Sequence, residues 1–242
     1  DLYGDPANRE AAGQRLAETA LEQLRQAEPG SDHQLAWARA FVSKARSTDH
    51  LVMVRGMLDG SETFEGLAVD TDFRWQLVVS LAAAGEGDAE ELILAELERD
   101  PTDKGQRNAA SARAAVPTEE AKEAAWASLV EDRTLSHAVL DSIMQGFQQP
   151  GWDDLLEPYA RRYFDVLPRV WEERDLEVAL DFGERMYPKW IVSDRTVEMT
   201  DAYLRREGLP GPIRRLLVEG RDRLLRAQRA RRADAAAGRP GA

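Results

Sequence analysis

The spacing of apolar residues is the feature that most constrains the fold of this chain. Along almost the whole sequence, apolar residues recur every three or four positions, and alternating β-branched runs are nearly absent. This period places apolar side chains on one face of an α-helix, whereas a half-buried strand needs a period of two. The sequence therefore predicts an all-α fold without a convincing strand.

Capping and turn residues divide this pattern into short helices. N-caps are predicted directly before apolar runs at Ser31, Asp70, Asp88, Thr102 and Thr118, with Glu91 completing a capping box after Asp88. Helix ends are predicted at Gly60 and Gly85. Further helices are predicted to begin near Leu135, Gly151, Pro168, Ser193 and Pro210.

The predicted helices recur in pairs. A pair occurs about every 30 to 40 residues with short connections, a period typical of HEAT and armadillo repeats. Each such hairpin cannot bury its own apolar stripe and packs against its neighbours. We therefore predict an α-solenoid of HEAT- or armadillo-like helical hairpins, forming a single domain over residues 1–232 and followed by a disordered tail at 233–242. A compact bundle is the alternative, although one bundle rarely needs so many short helices.

Composition excludes several classes of function. The chain has no cysteine, which rules out disulfides, thiolate zinc sites and iron–sulfur clusters and suits a reducing cytoplasm. A formal charge of -12 argues against nucleic-acid binding. Ten arginines lie between Arg205 and Arg232, and the simplest interpretation is a solvated last helix or one docked on the acidic body. No apolar run is long enough to predict a membrane span.

The sequence contains no recognisable catalytic apparatus. His33, His50 and His137 lie far apart and form no H-E-x-x-H pair, so solvent-facing or lightly capped roles are expected for them. Neither a G-x-S-x-G elbow nor a glycine-rich phosphate loop occurs. We predict no catalytic and no metal-ligating residue here, and the residues indicate a protein-binding or structural module.

One stretch, from Phe147 to Trp171, is unusually rich in aromatic residues. If 151–167 is a helix, its apolar side chains form one stripe, made of Trp152, Leu155, Leu156, Tyr159, Tyr163 and Val166. Such a stripe is typical of a core, and the polar tips of its tyrosines also suit the wall of a groove. The candidates for contact with a ligand in such a groove are Gln148, Gln149, Tyr159, Tyr163 and Arg174. Both glutamines also suit a simpler role as caps of the preceding helix.

Five segments carry a resemblance to a known family. They are PGSDHQLAWARAF (29–41), GLAVDTDFRW (66–75), RDPTDKGQRNAASARAA (99–115), AKEAAWASLVED (121–132) and FQQP (147–150) followed by LLEPYARRYFDVLPRVWEER (155–174). Together they resemble the C-terminal helical domain of M1-family zinc aminopeptidases, of the actinobacterial aminopeptidase N type. The resemblance extends from about Asp5 to Gln228.

The resemblance implies a function that the residues alone do not give. Family members remove N-terminal amino acids from peptides with a zinc ion, which is held in a catalytic domain that this sequence lacks. The implied partners are therefore the catalytic domain of the same parent chain and peptide substrates, with no cofactor in this fragment and zinc in the parent. The C-terminal domain would be a non-catalytic chamber wall or lid. Because the chain begins with Asp1, we expect a longer parent. The alternative is a free-standing helical-repeat scaffold that binds a partner protein.

Overall fold

The computed structural model describes residues 2–237, which form helices and the segments that connect them, with no strand. A short 3₁₀ helix, Pro6–Asn8, precedes twelve α-helices. These are α1 (Arg9–Gln26), α2 (Asp32–Lys44), α3 (Thr48–Asp59), α4 (Thr71–Ala84), α5 (Ala89–Arg99), α6 (Asp103–Ala115), α7 (Glu119–Val130), α8 (His137–Phe147), α9 (Asp153–Glu173), α10 (Leu176–Arg185), α11 (Asp194–Leu204) and α12 (Gly211–Ala237). The predicted all-α class is confirmed.

The helices form two compact units. One unit is Asn8–Lys122, in which α4 packs against α2, α3, α5 and α6, and α2 also packs against α1. The other runs from Glu123 onward and includes the residues before Asn8; in it α10 packs against α8, α9 and α12, and α11 packs against α9 and α12. Each of these pairs joins a helix to the next helix along the chain or to the one after it, as in stacked hairpins. The pairings are consistent with the predicted repeat, and both the solenoid and the single domain remain predictions.

Most of the predicted helix boundaries are confirmed. The side chains of four predicted N-caps accept a hydrogen bond from a backbone N–H of the first turn. These caps are Ser31, Asp70, Thr102 and Thr118. Gly60 and Gly85 end α3 and α4 with φ values of 88° and 84°, a left-handed conformation that costs glycine little.

The cap predicted at Asp88 is wrong. Its carboxylate makes no hydrogen bond to the first turn of α5 and instead accepts two from the guanidinium of Arg55, at 2.6 and 3.0 Å. Because a bidentate pair with a charged guanidinium is stronger than a single bond from a backbone N–H, the distant cation determines the position of this side chain. The same interaction lowers the pKa of Asp88.

The helix start predicted near Pro168 is also wrong. Helix α9 continues through Pro158 and Pro168 to Glu173, and the next helix begins at Leu176. A proline inside a helix costs about 3 kcal/mol. Here Leu167 and Val170 are both buried on either side of Pro168, and packing of that face outweighs the lost hydrogen bond.

The last helix is tied to the N-terminal residues of the chain. The backbone N–H of Asp5 donates to the carboxylate of Asp234 at 2.7 Å, and Arg231 Nε donates to the carbonyl of Leu2 at 3.0 Å. Helix α12 continues to Ala237, whereas the sequence predicts a disordered tail from 233. The contact at Asp234 and the alanines after it, which are strong helix formers, explain the difference over 233–237. The rest of the predicted tail, 238–242, lies outside the described residues.

Lys122 is a fully buried lysine in α7. Its side chain is 0% exposed, and its Nζ donates to the carbonyl of Ala114 at 2.5 Å, near the end of α6. Burial lowers its pKa to about 7 from the usual 10.5. The amine therefore satisfies a helix-terminal carbonyl but is costly to keep charged.

We expect Lys122→Met to remove a pH dependence of stability. Between about pH 7 and 10.5 the unfolded chain binds a proton at Lys122 that the folded chain has released, so the stability of the native chain rises with pH in this window. The methionine variant should be more stable near pH 7, and its advantage should shrink by a few kcal/mol towards pH 10. Urea unfolding at several pH values measures both curves. Lys104→Met, at an exposed lysine, is the control, and parallel curves for the Lys122 variant and the native chain would contradict the prediction.

Candidate functional site

The aromatic stretch identified in the sequence forms part of a packed cluster of rings. Phe147 at the end of α8 and Tyr159 in α9 pack edge to face with their ring centroids 5.0 Å apart. Trp126 of α7 contacts both, at 6.0 and 5.2 Å, and also contacts Phe182 of α10 at 6.0 Å. All four rings are buried. The cluster thus joins four helices. The core interpretation of the stripe holds for Leu156, Tyr159 and Tyr163, whereas Trp152, Leu155 and Val166 are only half-buried.

Tyr163 lies at the centre of the continuing cluster. Its side chain is 0% exposed, and its ring packs against Phe164 and Tyr187 at 5.0 and 5.9 Å. The hydroxyl donates to the carbonyl of Gly183 at 2.7 Å, which provides the partner that a buried phenol requires. Burial raises the pKa of Tyr163 well above its usual range. In this structure its surface is occupied entirely by other protein atoms.

A charged rim borders the cluster at Tyr159. The Tyr159 hydroxyl donates to the Glu123 carboxylate at 3.2 Å, and the same carboxylate accepts two hydrogen bonds from Arg162, at 2.5 and 2.9 Å. The guanidinium lies over the rings of Trp126 and Tyr159, 5.0 and 4.9 Å from their centroids. Hydrogen bonding from Arg162 lowers the pKa of Glu123, and burial raises that of Tyr159 to about 12. The rim is therefore an ionised pair above a neutral phenol.

The two glutamines after α8 have different roles. Gln149 Nε2 donates to the carbonyl of Gly146 at 3.1 Å, as expected for a cap of the preceding helix. Gln148 Nε2 instead donates to the carbonyl of Arg185, the last residue of α10, at 2.6 Å and to that of Tyr187 just after it at 3.0 Å. Gln148 thus fastens the segment after α8 to the end of α10. Local sequence reasoning could not predict this, because the acceptors are distant along the chain.

Arg174 acts at the other end of α9. Its Nη2 donates to the carbonyl of Leu129 in the last turn of α7, at 2.9 Å, and burial lowers the pKa of its guanidinium. The structure therefore places Tyr159 against the Phe147 ring, Tyr163 in the interior, and Gln148, Gln149 and Arg174 on backbone carbonyls. Contact of these residues with a substrate remains a prediction.

The histidines do not form a metal site. His50 is 8% exposed and packs edge to face on Phe41, so the expected solvent-facing role is wrong for it: the ring fills a gap in the α2–α3 core. His137 lies 2.7 Å from a carboxylate oxygen of Asp181 and 3.5 Å from one of Glu177. Within residues 2–237, no three His, Cys, Asp or Glu side chains are grouped to hold a metal. The described residues therefore do not fit a zinc ion.

Comparison with known proteins identifies the family. A family model described as "ERAP1-like C-terminal domain" matches residues 1–226. The chain belongs to this family. The ERAP1-like C-terminal domain described here is also 48% identical over 237 residues to Aminopeptidase N of Streptomyces lividans. The match covers 98% of the chain and spans 28% of that relative's length.

The resemblance that the five segments predict is confirmed: this is the C-terminal domain of an aminopeptidase N-like protein. No helix in the described part of the domain is long and apolar enough to cross a bilayer.

Proposed function

We propose that this domain is a non-catalytic wall or lid of a zinc aminopeptidase that removes N-terminal amino acids from peptides. The observation that supports it is the similarity, over nearly the whole chain, to part of an aminopeptidase, together with the lack of any metal-holding group among residues 2–237. On this proposal the zinc and the reacting groups belong to another domain of the parent. The helical domain binds that domain and limits which peptides reach it.

Rigidity in the second unit supports the proposal. A wall selects substrates by size only if its helices keep their positions while peptides enter and leave. Gln148 and Arg174 fasten helix ends to neighbouring segments, and the Tyr163 hydroxyl fastens the middle of α9 to α10. These contacts join α7 to α10, and the partly exposed side chains of Arg162 and Glu123 leave the rim accessible to a peptide.

The proposed location is the cytoplasm. The absence of cysteine from all 242 residues is consistent with a reducing compartment. Cell fractionation with an antibody against the domain tests the location directly.

Complementation tests the proposed function. The domain is mixed with the separately produced remainder of the parent chain, with zinc, and hydrolysis of an aminoacyl p-nitroanilide and of a ten-residue peptide is followed. We expect the domain alone to be inactive and the mixture to show a changed ratio between the two rates, because a wall alters access more than chemistry. Binding between the two pieces is measured by analytical ultracentrifugation.

A matched pair of variants makes this test specific. Glu123→Gln alters the rim, whereas Glu90→Gln alters an exposed ion pair in the other unit. If the rim faces the substrate, only the first should change the hydrolysis of the longer peptide. Two folded pieces that neither bind nor alter each other's activity would reject the proposal in favour of an independent scaffold.

A further inference from the structure

A second surface feature lies between α9 and α11, away from the Trp126 cluster. It is a pocket whose floor includes Phe164, Met199 and Tyr203 and whose rim includes Arg161, Arg195 and Arg206. Phe164 and Tyr203 are 6% and 4% exposed, so the floor is continuous with the apolar core. An apolar floor with a few charged groups at its edge is the usual composition of a small-molecule site.

The ion pairs around this pocket are exposed. Asp165 is the one carboxylate in the lining, against three guanidinium groups, and Glu157, outside the lining, lies 3.2 Å from Arg195. Asp165 lies 3.7 Å from Arg161, and the side chains of both residues are more than 60% exposed. Such exposed ion pairs contribute roughly 0–1 kcal/mol, so an incoming anion can compete with them.

Arg206 is the cation best placed to receive an anion. Its guanidinium carbon lies 4.3 Å from the centroid of the Tyr203 ring, and the carboxylates Asp165 and Glu157 pair with Arg161 and Arg195 instead. Contact with the ring and a hydrogen bond to the Tyr203 side chain position the guanidinium, whose other N–H groups can donate to an anion. Burial raises the pKa of Tyr203, so the phenol stays neutral and adds no negative charge to the pocket.

We propose that this pocket binds an organic carboxylate carried on an apolar, preferably aromatic, group. The carboxylate accepts hydrogen bonds from Arg206 and from Arg161 or Arg195, since guanidinium groups match carboxylates in a bidentate geometry. The apolar group covers Phe164 and Met199. The site is separate from the proposed chamber rim and does not depend on the aminopeptidase assignment.

Methyl NMR tests this proposal on the intact chain. The chain has five methionines, and Met199 supplies a methyl reporter on the pocket floor, which Met199→Leu assigns. Titration with 4-phenylbutyrate to about 10 mM should shift the Met199 signal with saturation. The neutral amide 4-phenylbutanamide and acetate, which lack the charge and the ring respectively, should each bind at least about tenfold more weakly.

Two arginine variants complete the experiment. Arg206→Gln should weaken 4-phenylbutyrate binding about tenfold or more, whereas Arg205→Gln, next to it but outside the pocket lining, should not. A blocked Phe-Glu dipeptide distinguishes the source of the carboxylate: its binding indicates a polypeptide side chain, and its failure beside a binding free acid indicates a small metabolite. The proposal is overturned if neither 4-phenylbutyrate nor the dipeptide moves the Met199 signal. Equal binding of 4-phenylbutyrate and 4-phenylbutanamide also overturns it.

Discussion

We expect Trp126→Ala to lower the free energy of unfolding by about 3–5 kcal/mol, the range for large-to-small substitutions of buried aromatic residues. Trp126 is 3% exposed and is in contact with the rings of Phe147, Tyr159 and Phe182. Removal of the indole leaves a cavity at a point where α7, α8, α9 and α10 meet, and four helices cannot all shift to fill it. It also removes a ring surface from beneath the Arg162 guanidinium.

Urea unfolding of matched variants measures this loss. Trp37→Ala is the control, because Trp37 is 37% exposed and its removal opens no enclosed cavity; about 1 kcal/mol or less is expected there. Trp126→Phe should be intermediate, since a phenyl ring fills part of the space. Equal losses for Trp126→Ala and Trp37→Ala would show that the cluster contributes no more than an exposed ring.

The Trp126 cluster shows how much of the site could be predicted from sequence. The period of three and four identified Tyr159 and Tyr163 as one stripe of α9, because a stripe depends only on nearby positions. The rings opposite, Trp126 and Phe182, come from other helices, and no local pattern specifies which helices meet. Sequence could therefore indicate that Tyr159 and Tyr163 share one face of a helix, but not what covers that face.

The missing cap bond at Asp88 and the wrong helix start at Pro168 have the same physical origin. Capping at Asp88 and a helix start at Pro168 follow from local rules whose energies are about 1 and 3 kcal/mol. At Asp88 a guanidinium 33 positions away in sequence forms a stronger interaction, and at Pro168 buried neighbours hold the helix together. At Ser31 and Asp70 the side chain follows the local preference and accepts the capping hydrogen bond of its own helix.

The second large effect is expected for Arg74→Leu, which should cost about 3–5 kcal/mol of unfolding free energy. Arg74 of α4 donates to both carboxylate oxygens of Glu96 in α5, at 2.7 to 3.0 Å, and to the carbonyl of Leu58 in α3 at 2.8 Å. The Glu96 side chain is only 3% exposed. Without Arg74, Glu96 is left as a buried charge with its main counter-ion removed, and the α3 carbonyl loses its donor.

The double variant Arg74→Leu/Glu96→Leu separates the two causes of that cost. If the loss comes mainly from the uncompensated charge, replacing both partners by apolar side chains should recover most of it, because an apolar pair of similar volume is often as stable as a buried ion pair. If the bond to the Leu58 carbonyl dominates, the double variant should be as unstable as the single one. Urea midpoints of the native chain and of both variants decide between these outcomes. Recovery would assign to Arg74 the neutralisation of a buried charge, and the absence of recovery would assign to it the attachment of α3 to α4.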